Sequence, residues 1–160
     1  MRVITAVLVL ACVLPFAASA GAQSFVPAPP VVNRVVAACP GLGAADQRPC
    51  SGAPSTVYWD PAWPDPAAWQ HELGHLFDYQ VLTDADRAAF QRIIHLAGPW
   101  RPGTGAAGPA EFFAVAYSQC ALHSSVRRAS TLGYGYRTTP KRHQAVCDLI
   151  RNAGQSRGTA

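Results

Sequence analysis

The stretch Trp69-Gln70-His71-Glu72-Leu73-Gly74-His75-Leu76-Phe77-Asp78 decides how the chain is read. On a helix, residues four apart lie one turn above one another on the same face. His71 and His75 can then turn both imidazoles towards one metal ion. Glu72 sits about 100° round the helix from His71, where its carboxylate can reach a water on the ion without ligating the ion itself. At the same angular step Trp69, Leu73, Leu76 and Phe77 gather on one side, and His71, His75 and Asp78 on the other. The expected helix turns one face to a core and the other to a site. Gly74 flanks the ligand face. A glycine inside a helix costs roughly 1 kcal/mol against alanine, and close approach of a neighbouring backbone is the usual reason to accept it.

The spacing is specific. The chain holds five His and two Glu, and random placement would produce His-Glu-x-x-His in roughly 0.2% of chains this long, so the match carries weight as a zinc-binding, water-activating signature. The competing reading is a structural helix with two surface histidines. Asp65-Pro66 supplies an N-cap and a first-turn proline for the helix, which runs to about Gln80.

A third donor must come from elsewhere. Asp78 lies seven residues after His71, about 10.5 Å along the axis, too far for one ion with bonds of about 2 Å. It suits a role behind the ligands, orienting an imidazole through its other nitrogen, or a plain surface or capping role. Glu111 is the only other glutamate. It opens a helix beginning at Pro109, and Ala114, Val115 and Ser118 share its face. Those side chains are small or compact, so another helix can come close. A carboxylate on such a face fits a third zinc ligand; the rival is a helix-start charge favoured by the macrodipole.

His71 to Tyr79, together with Ala110-Glu111-Phe112-Phe113-Ala114, resembles the anthrax lethal factor-like group of zincin peptidases. The resemblance runs from about Trp59 to Cys120. It implies His71, His75 and Glu111 as ligands of one Zn2+ and Glu72 as general base, in a gluzincin-type arrangement. Two positions depart from the family pattern: Gly103 to Gly108 holds no tyrosine ahead of Glu111, and Val115 stands where a second acidic residue is usual. The chain is also similar to small exported bacterial zincin-like proteins. The implied activity is that of a zinc metallopeptidase, an endopeptidase acting on peptide or protein substrates. Two alternatives stand beside it: a catalytically silent zinc-binding or protein-interaction module on the same scaffold, and a disulfide-stapled structural protein without metal. The group that would steady a developing oxyanion is read as Tyr136, with Tyr134, Tyr117 and His123 as alternatives, and each of the four taken alone suits a structural role better.

Composition agrees with one folded domain. The chain has 160 residues, 49% of them hydrophobic and 14% charged. Its net charge of +4 is mild, and the basic C-terminal region at Arg127-Arg128 and Arg137 to Arg142 reads as a solvated face. No nucleic-acid motif and no internal repeat is present. Arg2, the apolar run Val3 to Phe16 and Ala18-Ser19-Ala20 form an export signal over residues 1–22, cleaved after Ala20 or Ala22. The run is too short for a span of about 20 residues, so no stable membrane insertion is expected after its removal. Lipidation at Cys12 is the alternative.

Residues 23–160 then form a single domain with an ordered core over about 31–154, secreted or periplasmic and expected to be monomeric. Its cysteines, Cys39, Cys50, Cys120 and Cys147, imply two disulfides in an oxidising compartment. Spacing favours Cys39–Cys50 and Cys120–Cys147 among the three connectivities. Cysteine ligation of zinc lacks a Cys-x-x-Cys pair, and Cys50 as a latency cap on the metal runs against even parity.

The expected fold is α+β, a minimal zincin-like domain with a small N-terminal sheet, the active-site helix and a helical C-terminal half. The two disulfides compensate for its size. Strands are read at Val31 to Ala38 and Thr56 to Trp59, with a Gly/Pro-rich loop from Cys39 to Ser55. The second of these strands, just ahead of the metal-binding helix, either offers an edge to an extended peptide or is an ordinary sheet strand. Thr83 caps a helix with Asp86 at its third position. Thr139-Pro140 opens a last helix that ends at Gly154, followed by a disordered tail.

Overall fold

The computed structural model describes residues 26–41, 48–60, 62, 65–100, 108–123 and 136–157. The export segment with its cleavage sites, Cys12, Arg127-Arg128 and Gly133-Tyr134-Gly135 lie outside them. Among the described residues the chain forms three short strands and then four helices, an α+β arrangement. The strands are β1 (Asn33–Val35), β2 (Cys50–Gly52) and β3 (Thr56–Tyr58), in the order β1-β3-β2. β3 runs parallel to β1 and antiparallel to β2. Its β-branched and aromatic residues suit a pleated surface, and Val57 is fully buried. β3 is thus hydrogen-bonded along both edges and has none to lend to a peptide; only β1 and β2 lie at sheet edges. The expected loop from Cys39 to Ser55 likewise holds a strand, β2, whose partner is supplied by β3 rather than by its own propensities.

Helix α1 (Pro66–Gln80) starts where expected, with the Asp65 carboxylate accepting from the Ala67 N–H at 2.8 Å and proline in the first turn. Its end is tied to the sheet region by Gln80, whose side chain donates to the carbonyls of Val31 and Pro54 and accepts from the Val31 N–H, each at 2.8 Å. As expected, α1 turns one face to the core and the other to the site, and the site face is covered as well. Both sides are buried: Leu73, Leu76 and Phe77 on one, His71, His75 and Asp78 on the other. The site is an interior one.

Helix α2 (Asp84–Ile94) is closed at its start by a reciprocal cap, in which Asp86 N–H donates to Thr83 Oγ1 while Thr83 N–H donates to Asp86 Oδ2 at 2.8 Å. Arg157 also donates to that oxygen at 2.9 Å. Burial pushes the Asp86 carboxyl up, but the Thr83 and Arg157 donors outweigh it and hold it below the usual Asp value. A depressed carboxyl contributes stability above its unfolded pKa and loses it as pH falls through the folded one. Asp86→Asn should therefore cost about 1 kcal/mol near neutrality. The difference from the wild type should vanish as urea unfolding is repeated at pH values falling below the ordinary Asp range. A deficit unchanged in acid would show that Asp86 acts through packing rather than charge.

Helices α3 (Pro109–Ala121) and α4 (Pro140–Arg157) complete the chain. α4 does not stop at Gly154. That glycine lies against the Pro27 ring so closely that a Cβ would collide with it. Close approach, not a helix stop, explains the residue, and the next turn continues to Arg157. The segment ahead of β1 is part of this packing: Val26 is buried and the Pro27 carbonyl accepts the Tyr117 hydroxyl at 2.8 Å.

The core between α1, α2 and α3 is aromatic. Phe77 meets Tyr117, and Phe90 meets Phe113, with ring centres 5.3 Å apart; Trp100 lies 5.8 Å from Phe90 and 5.9 Å from Phe113. Such pairs contribute about 0.5–1.5 kcal/mol each beyond the area they bury. Both expected disulfides form, Cys39–Cys50 beside the sheet and Cys120–Cys147 between α3 and α4, with Cα separations of 5.9 and 5.6 Å. Two such bonds point to an oxidising compartment. Among the described residues no helix is long and apolar enough to cross a membrane.

Candidate metal centre

Helix α1 brings two imidazoles to one point because His71 and His75 are one turn apart. Their Nε2 atoms are 3.2 Å from each other. α3 supplies the third donor: Glu111 Oε2 lies 3.2 Å from His71 Nε2 and 3.5 Å from His75 Nε2. All three side chains are buried. Neither approach of Oε2 to an imidazole has the geometry of a hydrogen bond. The set is better described as three donor atoms around a common centre. Atoms at tetrahedral positions with bonds of about 2.0–2.1 Å to one ion lie about 3.3–3.4 Å apart. The observed 3.2, 3.2 and 3.5 Å match that triangle, so these residues fit a divalent ion of the zinc type.

The close approach of α1 and α3 that makes this possible is encoded at Gly74. A Cβ there would stand 2.8 Å from the Ala114 Cα and 3.1 Å from the Ala114 carbonyl oxygen. Ser118 adds a bond between the same helices, its hydroxyl donating to the Ala67 carbonyl at 2.9 Å. The small residues sharing the face of Glu111 do what the sequence pattern led one to expect.

Charge at the site favours a cation. Burial pushes the Glu111 carboxyl up, yet the two imidazoles outweigh it and bring it down to about 2. Burial works against charge on His75, but Glu111, Glu72 and Asp78 overcome it and leave His75 above the ordinary histidine value. Glu72 differs from Glu111. Burial pushes its carboxyl up, and the imidazoles and the Ser51 hydroxyl only partly offset that. Two glutamates in one site are thus driven in opposite directions, one towards a permanent anion and one towards a proton carrier.

Ser51, which hydrogen-bonds Glu72, was invisible in the sequence. It sits on β2, and no local signal links it to α1. Asp78 is placed close to the site but with other partners. Its Oδ1 accepts from Arg87 Nε at 2.7 Å and its Oδ2 from Trp100 Nε1 at 2.8 Å. Arg87 Nη2 also donates to the Asp78 carbonyl at 2.9 Å. Asp78 therefore locks α2 and the segment after it onto α1, and acts on His75 through its charge. Both oxygens being engaged, the expected bond to an imidazole is replaced by a buried, paired carboxylate, as burial of a charge requires.

Tyr136 is buried with its phenol oxygen 3.3 Å from His143 Nδ1, beside the Cys120–Cys147 bond. Tyr117 is occupied by Pro27. A cavity of about 330 Å³ lined by Arg34, Trp59, Pro66 and Trp69 opens at the first turn of α1. Trp69 lies about 160° round the helix from His71, so the cavity is separate from the metal centre.

The fold and site together define the chain as a small disulfide-bonded α+β protein with a buried His-His-Glu donor set able to hold a metal ion. Comparison with protein-family models, with curated proteins and with solved structures finds no match to it.

Proposed function

We propose that the protein is an exported zinc metallopeptidase. The observation that carries this reading is the triangle of His71 Nε2, His75 Nε2 and Glu111 Oε2 with a second, unligating glutamate one residue from His71. A binding module needs the three ligands only; Glu72 is superfluous to ligation and suited to proton transfer.

His71, His75 and Glu111 would hold the ion through Nε2, Nε2 and Oε2. Zinc held there would supply Lewis acidity, making a water easier to deprotonate and polarising a peptide carbonyl. Glu72 takes the proton from the attacking water and passes it to the departing amine nitrogen. Its raised affinity for protons suits both steps, and the Ser51 hydroxyl fixes its orientation. On this reading the substrate is a peptide or protein outside the cytoplasm; the export signal read from the sequence and the two disulfides support that location.

Glu72→Gln preserves shape and removes the base. Zinc content measured after exhaustive dialysis should equal that of the wild type, while cleavage of a broad peptide library falls by about 10²–10⁴-fold. Equal cleavage by both chains would assign the activity to a contaminant or to another base. A zinc-loaded wild type that cleaves nothing in the library would favour the non-catalytic module.

A further inference from the structure

We propose that Cys120, His143 and Cys147 form a second zinc site, one that opens when the Cys120–Cys147 bond is reduced. The construction repeats that of the first centre. His143 and Cys147 are four residues apart on α4, so they share one face a turn apart, as His71 and His75 do on α1. The third donor again comes from α3, which carries Glu111 near its start and Cys120 near its end.

Distances favour a shared ion. His143 Nε2 lies 3.6 Å from Cys147 Sγ and 3.9 Å from Cys120 Sγ. A nitrogen and a sulfur on one tetrahedral zinc, with bonds of about 2.05 and 2.3 Å, stand about 3.6 Å apart. The imidazole is therefore already in place, and only the two sulfurs must separate, to about 3.8 Å. The Tyr136 oxygen, 3.3 Å from His143 Nδ1, can accept the proton of that nitrogen and leave the Nε2 lone pair for a metal, as partners behind metal-bound histidines do. Both cysteines are buried. Two thiolates and an imidazole are soft donors that select zinc over magnesium or calcium.

The chemistry balances with a dithiol as reductant. The dithiol gives two electrons and two protons to the bridge and itself becomes a disulfide; Cys120 and Cys147 become thiols. Zinc then binds both sulfurs as thiolates and their two protons pass to solvent. Bond and ion are thus alternative fastenings of α3 to α4, and the ion would secure this junction in chains whose disulfide has not yet formed or has been lost.

The test uses the full chain, reduced with a water-soluble phosphine, which takes oxygen from water as the bridge gains its electrons and protons. Cobalt(II) is then added without oxygen. The His71, His75 and Glu111 set holds no sulfur, so thiolate-to-cobalt charge-transfer absorption is blind to the first centre, and a Cys39→Ala, Cys50→Ala background removes the other reducible pair. In the reduced chain this absorption should saturate at no more than two equivalents, one for each centre, and it should be missing from the oxidised chain. Cys147→Ser should lose it, and His143→Ala should weaken it by at least about tenfold in cobalt affinity. No band in the reduced wild type overturns the proposal, as does a band of equal strength and midpoint in His143→Ala, which would mean cobalt held by thiols elsewhere. Zinc should also restore the melting temperature lost on reduction; a reduced chain that stays unfolded with zinc present overturns it equally.

Discussion

Glu111→Gln should leave the chain folded and nearly free of zinc. The substitution keeps size and removes the charge that would make Oε2 a ligand. Altering a group behind a metal ligand typically costs 10–100-fold in metal affinity, and loss of a ligand's charge should cost on the order of 100-fold or more. Peptide cleavage should fall with the metal and return only at zinc concentrations raised by a similar factor. The alternative, a glutamate serving only the start of α3, predicts unchanged zinc affinity and a small loss of helix stability. Calorimetric zinc titration separates the two, and a wild-type affinity in the variant would remove the third ligand from the site. The distinction from Glu72→Gln is internal to the same assay: one variant loses the ion, the other keeps it and loses turnover.

Gly74→Ala should destabilise the protein although alanine is the better helix former. In an exposed helix the exchange would gain roughly 1 kcal/mol. Here the new Cβ would stand 2.8 Å from a backbone atom, Ala114 Cα, and 3.1 Å from Tyr117 Cβ. A backbone atom cannot swing aside as a side-chain tip can, so α1 and α3 must move apart. Overpacking of this kind costs about 1–3 kcal/mol, and urea unfolding should show a net loss within that range. The displacement also carries Glu111 away from the two imidazoles, so zinc affinity should drop together with stability. A variant as stable as the wild type, binding zinc equally well, would show that the helices do not approach as closely as the glycine implies.

Much of the site was legible before any tertiary structure because its geometry is local. Four residues on a helix are one turn, so His71 and His75 converge whatever surrounds them. Asp65-Pro66 and the pair Thr83 and Asp86 bond to backbone groups within three residues, and those caps also follow from the sequence alone. Glu111 was legible for a different reason: in a chain with two glutamates, a carboxylate on a face of small residues has few other uses. The disulfide pairs followed from cysteine number and spacing.

The remaining features depend on contacts between distant segments, which periodicity does not record. A repeat of apolar residues tells which side of a helix is greasy, not which neighbour meets it, nor whether the polar side is also enclosed. For that reason the enclosure of the site face of α1 was not foreseen, Asp78, read as an imidazole partner or a surface residue, found Arg87 and Trp100 instead, and Gly154 read as a stop when it is a gap left for Pro27. Strand pairing carries the same ambiguity: β2 is three residues of weak strand formers made a strand by β3, and it thereby sets Ser51 against Glu72. The sequence by itself determined that His71 and His75 converge with Glu72 beside them, and it determined the caps, because each is fixed within a turn of helix; cysteine number and spacing favoured the pairs that form. Only the tertiary structure decided what encloses them, because the energy of a buried contact belongs to two segments at once and neither states it alone.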